Sequence, residues 1–117
     1  MKEDTKIIHG GAEAGKAHGI VNTPVYRAST VIFPDTEQMA RAADGVLSQK
    51  KKILFYGRKG TPTTWALEDA ITELERGHDT VLSPSGLSAV TTSLFAFLKS
   101  GDHLLMTDSV YAPTRKF

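Results

Sequence analysis

Two short apolar runs, separated by a helix-length amphipathic segment, limit what this chain can build. "DTVLS", 79–83, passes through "PSG" into Leu87–Ser100, where Leu87, Val90, Leu94, Phe97 and Leu98 recur at helical spacing. Gly101 closes that segment, and "HLLMT", 103–107, follows. The unbroken runs "TVL" and "LLM" suit strands covered on both faces. Strand, helix, strand in this order predicts a βαβ unit with parallel strands and a right-handed crossover, hence an α/β fold.

Two further helices are expected upstream. Asp35 can cap a helix over about 36–48, with Gln38 three residues on as its capping-box partner. Met39, Ala42, Ala43, Val46 and Leu47 form its apolar side, and Gly45 weakens it by roughly 1 kcal/mol relative to alanine. Thr61 and Pro62 open a second helix that runs to about Arg76, with Gly77 as its stop. Leu67, Ala70, Ile71 and Leu74 fall at i, i+3, i+4 and i+7 on one face. Residues 1–34 differ: Gly10, Gly11, Gly15, Gly19, Pro24 and Pro34 punctuate them, and "VYRASTVIF" alternates poorly. This stretch reads as an extended arm whose apolar residues must pack on something.

Composition excludes several classes. Fourteen basic and 13 acidic residues leave a net charge of +1, which gives no support for a nucleic-acid or membrane partner. Without cysteine there is neither disulfide nor thiolate chemistry, which fits a reducing cytoplasm. "MKEDTKIIHGG" lacks the apolar core of a secretory signal. His9, His18, His78 and His103 show no metal-ligand spacing. The run Lys50, Lys51, Lys52 reads as a solvated face, and Glu68, Asp69, Glu73 and Glu75 read as water-facing.

Chemistry concentrates at three places. In open α/β sheets ligands bind at the carboxyl ends of strands, where a helix N-terminus offers unpaired N–H groups to an anion. "SPSGLS", 83–88, has that position: Gly86 permits close backbone approach and Ser85 or Ser88 can donate a hydroxyl. The alternative is that Ser85 serves only as the helix cap. No Walker or GxGxxG pattern accompanies the turn. Tyr111, just past the second strand-like run, can stack on a flat ligand or stay a half-buried loop tyrosine. Arg58 can fork onto a phosphate with two hydrogen bonds, or remain a solvated charge.

Taken together, "NTPVYRASTVIF", "YGRKGTPTTWALEDAITELE", "SPSGLSAV" and "GDHLLMTDSVYAPT" resemble the Cys/Met-metabolism family of pyridoxal-phosphate (PLP) enzymes. The resemblance implies an arm with one helix over 1–60 that packs on a neighbouring subunit. It also implies that 61–117 begin the PLP-binding domain of a fold-type I, aspartate-aminotransferase-like enzyme. Tyr56 and Arg58 would bind the cofactor phosphate of that neighbour. Ser85, Gly86 and Leu87 would hold the phosphate of their own subunit, and Tyr111 would stack on the pyridine ring and serve catalysis. No metal is implied. The branch it looks most like cleaves cystathionine by β-elimination to homocysteine, pyruvate and ammonia in methionine biosynthesis. γ-Synthase, γ-lyase and methionine γ-lyase branches are the alternatives. A cytoplasmic homotetramer, a dimer of dimers, is implied, with an amino acid as small-molecule substrate.

Family members run to several hundred residues. The resemblance therefore places the Schiff-base lysine, the aspartate facing the pyridinium nitrogen and the arginine for the substrate carboxylate beyond residue 117. The chain then reads as an N-terminal segment holding part of a cofactor cradle. A non-catalytic truncated product is the rival reading. Two edge-exposed strands would make such a segment poorly soluble alone.

Overall fold

The computed structural model describes residues 2–12, 19–49 and 51–117. Gly15, His18 and Lys50, singled out above, lie outside the described residues. Five α-helices are present among the described residues: α1 Glu3–His9, α2 Thr36–Leu47, α3 Pro62–Glu75, α4 Gly86–Phe97 and α5 Ala112–Lys116. A 3₁₀ turn, Gly57–Lys59, precedes α3. The chain divides into two compact units, Met1–Thr80 and Val81–Phe117.

In the first unit, α2 begins as its cap chemistry dictates. Asp35 Oδ1 accepts from the Gln38 amide at 2.7 Å, and Gln38 Nε2 donates to Asp35 Oδ2 at 2.7 Å. These hydrogen bonds, led by the backbone one, favour the ionised carboxyl and hold the Asp35 pKa below its ordinary value. Gly45 has a packing reason to be there. It is buried, and Ile53 Cδ1 occupies the space that a β-carbon at 45 would need. The expected apolar side of α2 is only partly covered: Ala42 is buried, Ala43 and Val46 are half-buried, and Leu47 is exposed.

Pro62 occupies the first turn of α3, and Thr64 Oγ1 accepts from the Thr61 amide at 2.9 Å. The stop of α3 differs from expectation. Arg76, not Gly77, takes the left-handed conformation, at φ 54°, and Gly77 N donates to the Thr72 carbonyl. α1 is a second helix in the segment expected to carry one. It is fixed by tertiary contact rather than by a cap, because Gly10 and Gly11 bring its end onto the α3 backbone at Ala70 and Ala66. A β-carbon on Gly11 would overlap the Ala66 carbonyl, and Gly11 sits at φ 70°.

Of the βαβ expectation, the helix is present and the strand pairing is not formed among the described residues. Residues 79–83 and 103–107 form no ladder, and the one β-pairing among the described residues is an isolated antiparallel bridge between Thr30 and Tyr56. A strand exists only with a partner, and a lone pair of strands is marginal in water. Here the apolar runs stay open to solvent: Val81 is 81% exposed and Leu105 97%. The helix between them forms as expected but ends at Phe97, short of Ser100, with Phe97 on the surface. The second unit is held by α4 and α5, with Phe95 and Phe117 meeting edge to face at 5.3 Å.

Candidate cofactor-phosphate site

Arg58 stands on the 3₁₀ turn of the first unit, and Tyr56, in extended conformation, immediately precedes it. The turn is held against the arm, since Gly57 N donates to the Ser29 carbonyl at 2.7 Å. Gly57 is required there, because a β-carbon would overlap the Ala28 carbonyl oxygen. At its far end Gly60, at φ 112°, lies directly under the Trp65 indole. The Arg58 guanidinium carbon sits 5.5 Å from the centre of the Tyr56 ring, within cation–π range. Arg58 is exposed and, among the described residues, has no carboxylate partner. With Lys59 beside it, this turn presents two adjacent cations on a fixed backbone.

The lysine run just upstream is not a uniform solvated face. Lys52 Nζ lies 2.5 Å from Asp69 Oδ1 and 3.7 Å from Glu68 Oε2, both on α3. Partial burial pulls the Lys52 pKa down. The Asp69 hydrogen bond and the negative charges of Asp69, Glu68 and Asp79 outweigh that and raise it. The expectation that Glu68 and Asp69 simply face water is corrected accordingly. The sequence offered no means to tell Lys52 from its neighbours.

Ser85, Gly86, Leu87 and Tyr111 belong to the second unit. Ser85 caps α4: its Oγ accepts from the Ser88 amide at 3.1 Å, so one lone pair is engaged in the helix start. Gly86 is exposed, with nothing within 4 Å of the position a β-carbon would take. Leu87 is exposed at 38%. Tyr111 precedes α5, its carbonyl accepting from Thr114 N at 2.9 Å, and its ring is 67% exposed. The turn before it is fixed by Arg115, which donates to the Asp108 carbonyl and, at 3.0 Å, to Asp108 Oδ1.

A groove of about 410 Å³ also lies in this unit, lined by Leu94, Phe95, Leu98, Leu104, Met106 and Phe117 among others. None of the predicted site residues lines it. No cluster of His, Asp or Glu suited to a metal ion occurs among the described residues.

Residues 4–117 match the family described as Cys/Met metabolism PLP-dependent enzyme, and the chain belongs to that family. It is 41% identical over 113 residues to a cystathionine beta-lyase of Haemophilus influenzae, covering 97% of this chain and 28% of that protein. To the cystathionine beta-lyase of Escherichia coli it is 39% identical over 116 residues, covering 99% and 29%. A cystathionine gamma-lyase of Bacillus subtilis is 36% identical over 114 residues, covering 97% and 27%. The chain thus spans under a third of the length of these relatives.

The family's cofactor is PLP, and the residues present fit its phosphate. In the first unit an exposed guanidinium without a carboxylate partner among the described residues and an adjacent lysine can donate to a dianion; in the second, separately, an open glycine at a helix start can do so. No helix among the described residues is long and apolar enough to cross a membrane.

Proposed function

We propose that this chain is the N-terminal segment of a cystathionine β-lyase, which cleaves cystathionine to homocysteine, pyruvate and ammonia in methionine biosynthesis. The observation that carries the reading is Arg58. A guanidinium with no carboxylate partner among the described residues is held on a turn fixed by Gly57 and Gly60, beside Tyr56. In this reading Tyr56 and Arg58 bind the phosphate of the cofactor in a neighbouring subunit. The Gly86 and Leu87 amides, with Ser85, receive the phosphate of their own subunit, and Tyr111 lays its exposed ring along the pyridine plane. Residues 1–60 act as the arm toward that neighbour and 61–117 open the PLP-binding domain of a cytoplasmic dimer of dimers.

When bound, the cofactor supplies an electron sink for negative charge at the substrate α-carbon. The residues of this segment orient it and neutralise its phosphate. Arg58 gives a bidentate contact that lysine cannot copy, and Tyr111 keeps the ring plane fixed. The β-assignment is supported by "ILFYGRKGTPT" and by the two relatives named as beta-lyases. γ-Elimination is the second reading, favoured by the gamma-lyase relative.

Two measurements on the full-length protein test this. Cystathionine should yield pyruvate; 2-oxobutyrate instead would assign the γ-lyase reaction. Arg58→Ala should weaken cofactor retention, and unchanged affinity would remove Arg58 from the phosphate site.

A further inference from the structure

We propose that Thr63 is a positioning residue for the cofactor phosphate, acting through the turn that carries Tyr56 and Arg58. The inference rests on the phosphate reading of that pair. Thr63 Oγ1 accepts from the Tyr26 amide at 2.8 Å and donates to the Pro24 carbonyl at 3.0 Å. One hydroxyl therefore satisfies two backbone groups of the arm from the first turn of α3. The same arm segment continues to Ala28, Ser29 and Thr30. There it receives the Gly57 amide, packs its Ala28 carbonyl against Gly57, and pairs Thr30 with Tyr56.

The turn bearing Arg58 is thus gripped from two sides. On one side is the arm. On the other is the start of α3, which the Thr61–Thr64 hydrogen bond ties to the end of the turn. Thr63 joins the two grips. It touches neither Tyr56 nor Arg58 in any hydrogen bond, so its effect on a ligand runs through backbone placement alone. A site residue displaced by about 1 Å loses much of its effect, so the pin controls how well the guanidinium meets a phosphate. Valine at 63 keeps the shape and removes both hydrogen bonds; serine keeps both.

The test uses the full-length protein, with affinities for pyridoxal phosphate and for pyridoxal, which lacks the phosphate. Thr63→Val should weaken pyridoxal phosphate about tenfold, in the range of other supporting-residue losses, and leave pyridoxal within about twofold. Thr63→Ser should restore the parent value. Equal weakening of both ligands, or of neither, would overturn the role. Arg58→Ala separates the two claims. If it weakens pyridoxal phosphate while Thr63→Val does not, Thr63 fails and the phosphate reading stands. If Arg58→Ala changes nothing, the phosphate reading itself fails. Should Thr63→Val not fold, amide exchange on the unsubstituted protein decides. Coupling is reciprocal, so pyridoxal phosphate but not pyridoxal should slow exchange at Tyr26 and Gly57. Unchanged exchange would overturn the proposal.

Discussion

Lys52 and Asp69 form a 2.5 Å ion pair that anchors the approach to the Tyr56–Arg58 turn onto α3. Glu68 completes the clasp from the same helix at 3.7 Å, with its side chain only 19% exposed. The pair is therefore half-sheltered rather than free in water, and it links the chain just before Tyr56 to the helix that follows the turn.

Lys52→Met should lower stability by about 1 kcal/mol, since it leaves two neighbouring carboxylates without their cation. The sign of the pH dependence follows from the raised pKa. The contribution is complete below the ordinary lysine value of 10.5 and is lost as pH rises through the higher folded value. Denaturant midpoints should therefore fall for the parent only as pH rises past about 10.5, and the fall should be shallower for Lys52→Met.

Asp35 has the opposite sign. Its folded pKa lies below 3.8, so the cap stabilises α2 fully above that value and is lost as pH falls through the lower folded one. Asp35→Asn keeps an acceptor for the Gln38 amide and removes the titration. Circular dichroism across the acid limb should show a flatter curve for the Asp35→Asn variant than for the parent, and Asp35→Ala should reduce helicity at neutral pH.

Gly57→Ala should destabilise the first unit by about 1–3 kcal/mol, the range for forced overpacking. The obstacle is backbone, with the Ala28 carbonyl in the way and Ser29 Cα 3.0 Å from the new carbon. No side chain can rotate aside. Thermal unfolding measures the loss, and cofactor affinity of the full-length protein should fall with it.

Arg76→Gly should leave stability unchanged or raise it by up to about 1 kcal/mol. A left-handed residue at φ 54° favours glycine. The pair that arginine gives up, to Glu3 at 3.4 Å, has both side chains over three-quarters exposed and contributes little. A lowered melting temperature for this variant would contradict the account of the α3 terminus.

Helices α2 and α3 were legible because their ends are written in local chemistry: Asp35 with Gln38, and Thr61 with Pro62. α1 was not, because Glu3–His9 has no side-chain cap and owes its place to Ala66 and Ala70, far along the chain. The runs 79–83 and 103–107 carry the composition of buried strands, yet composition cannot supply the neighbour that a strand needs. Among the candidate residues, Tyr56, Arg58, Ser85 and Gly86 stand out in the sequence because arginine, glycine and capping serine have narrow chemical uses. Lys52 and Thr63 could not, since their roles come from Asp69, Pro24 and Tyr26, which are distant in the chain.

The hydroxyl of Thr63 meets an amide 37 residues upstream, and the hydrogen bonds and β-bridge of that clamp all fall between Pro24 and Thr64. Closing one loop of this size carries a modest entropy cost that grows only slowly with length. The contacts that shape the turn therefore bridge only a short stretch of chain, so little loop entropy opposes them once α3 is formed. Its two cations are thus positioned by the arm and the start of α3, both close to them in the chain.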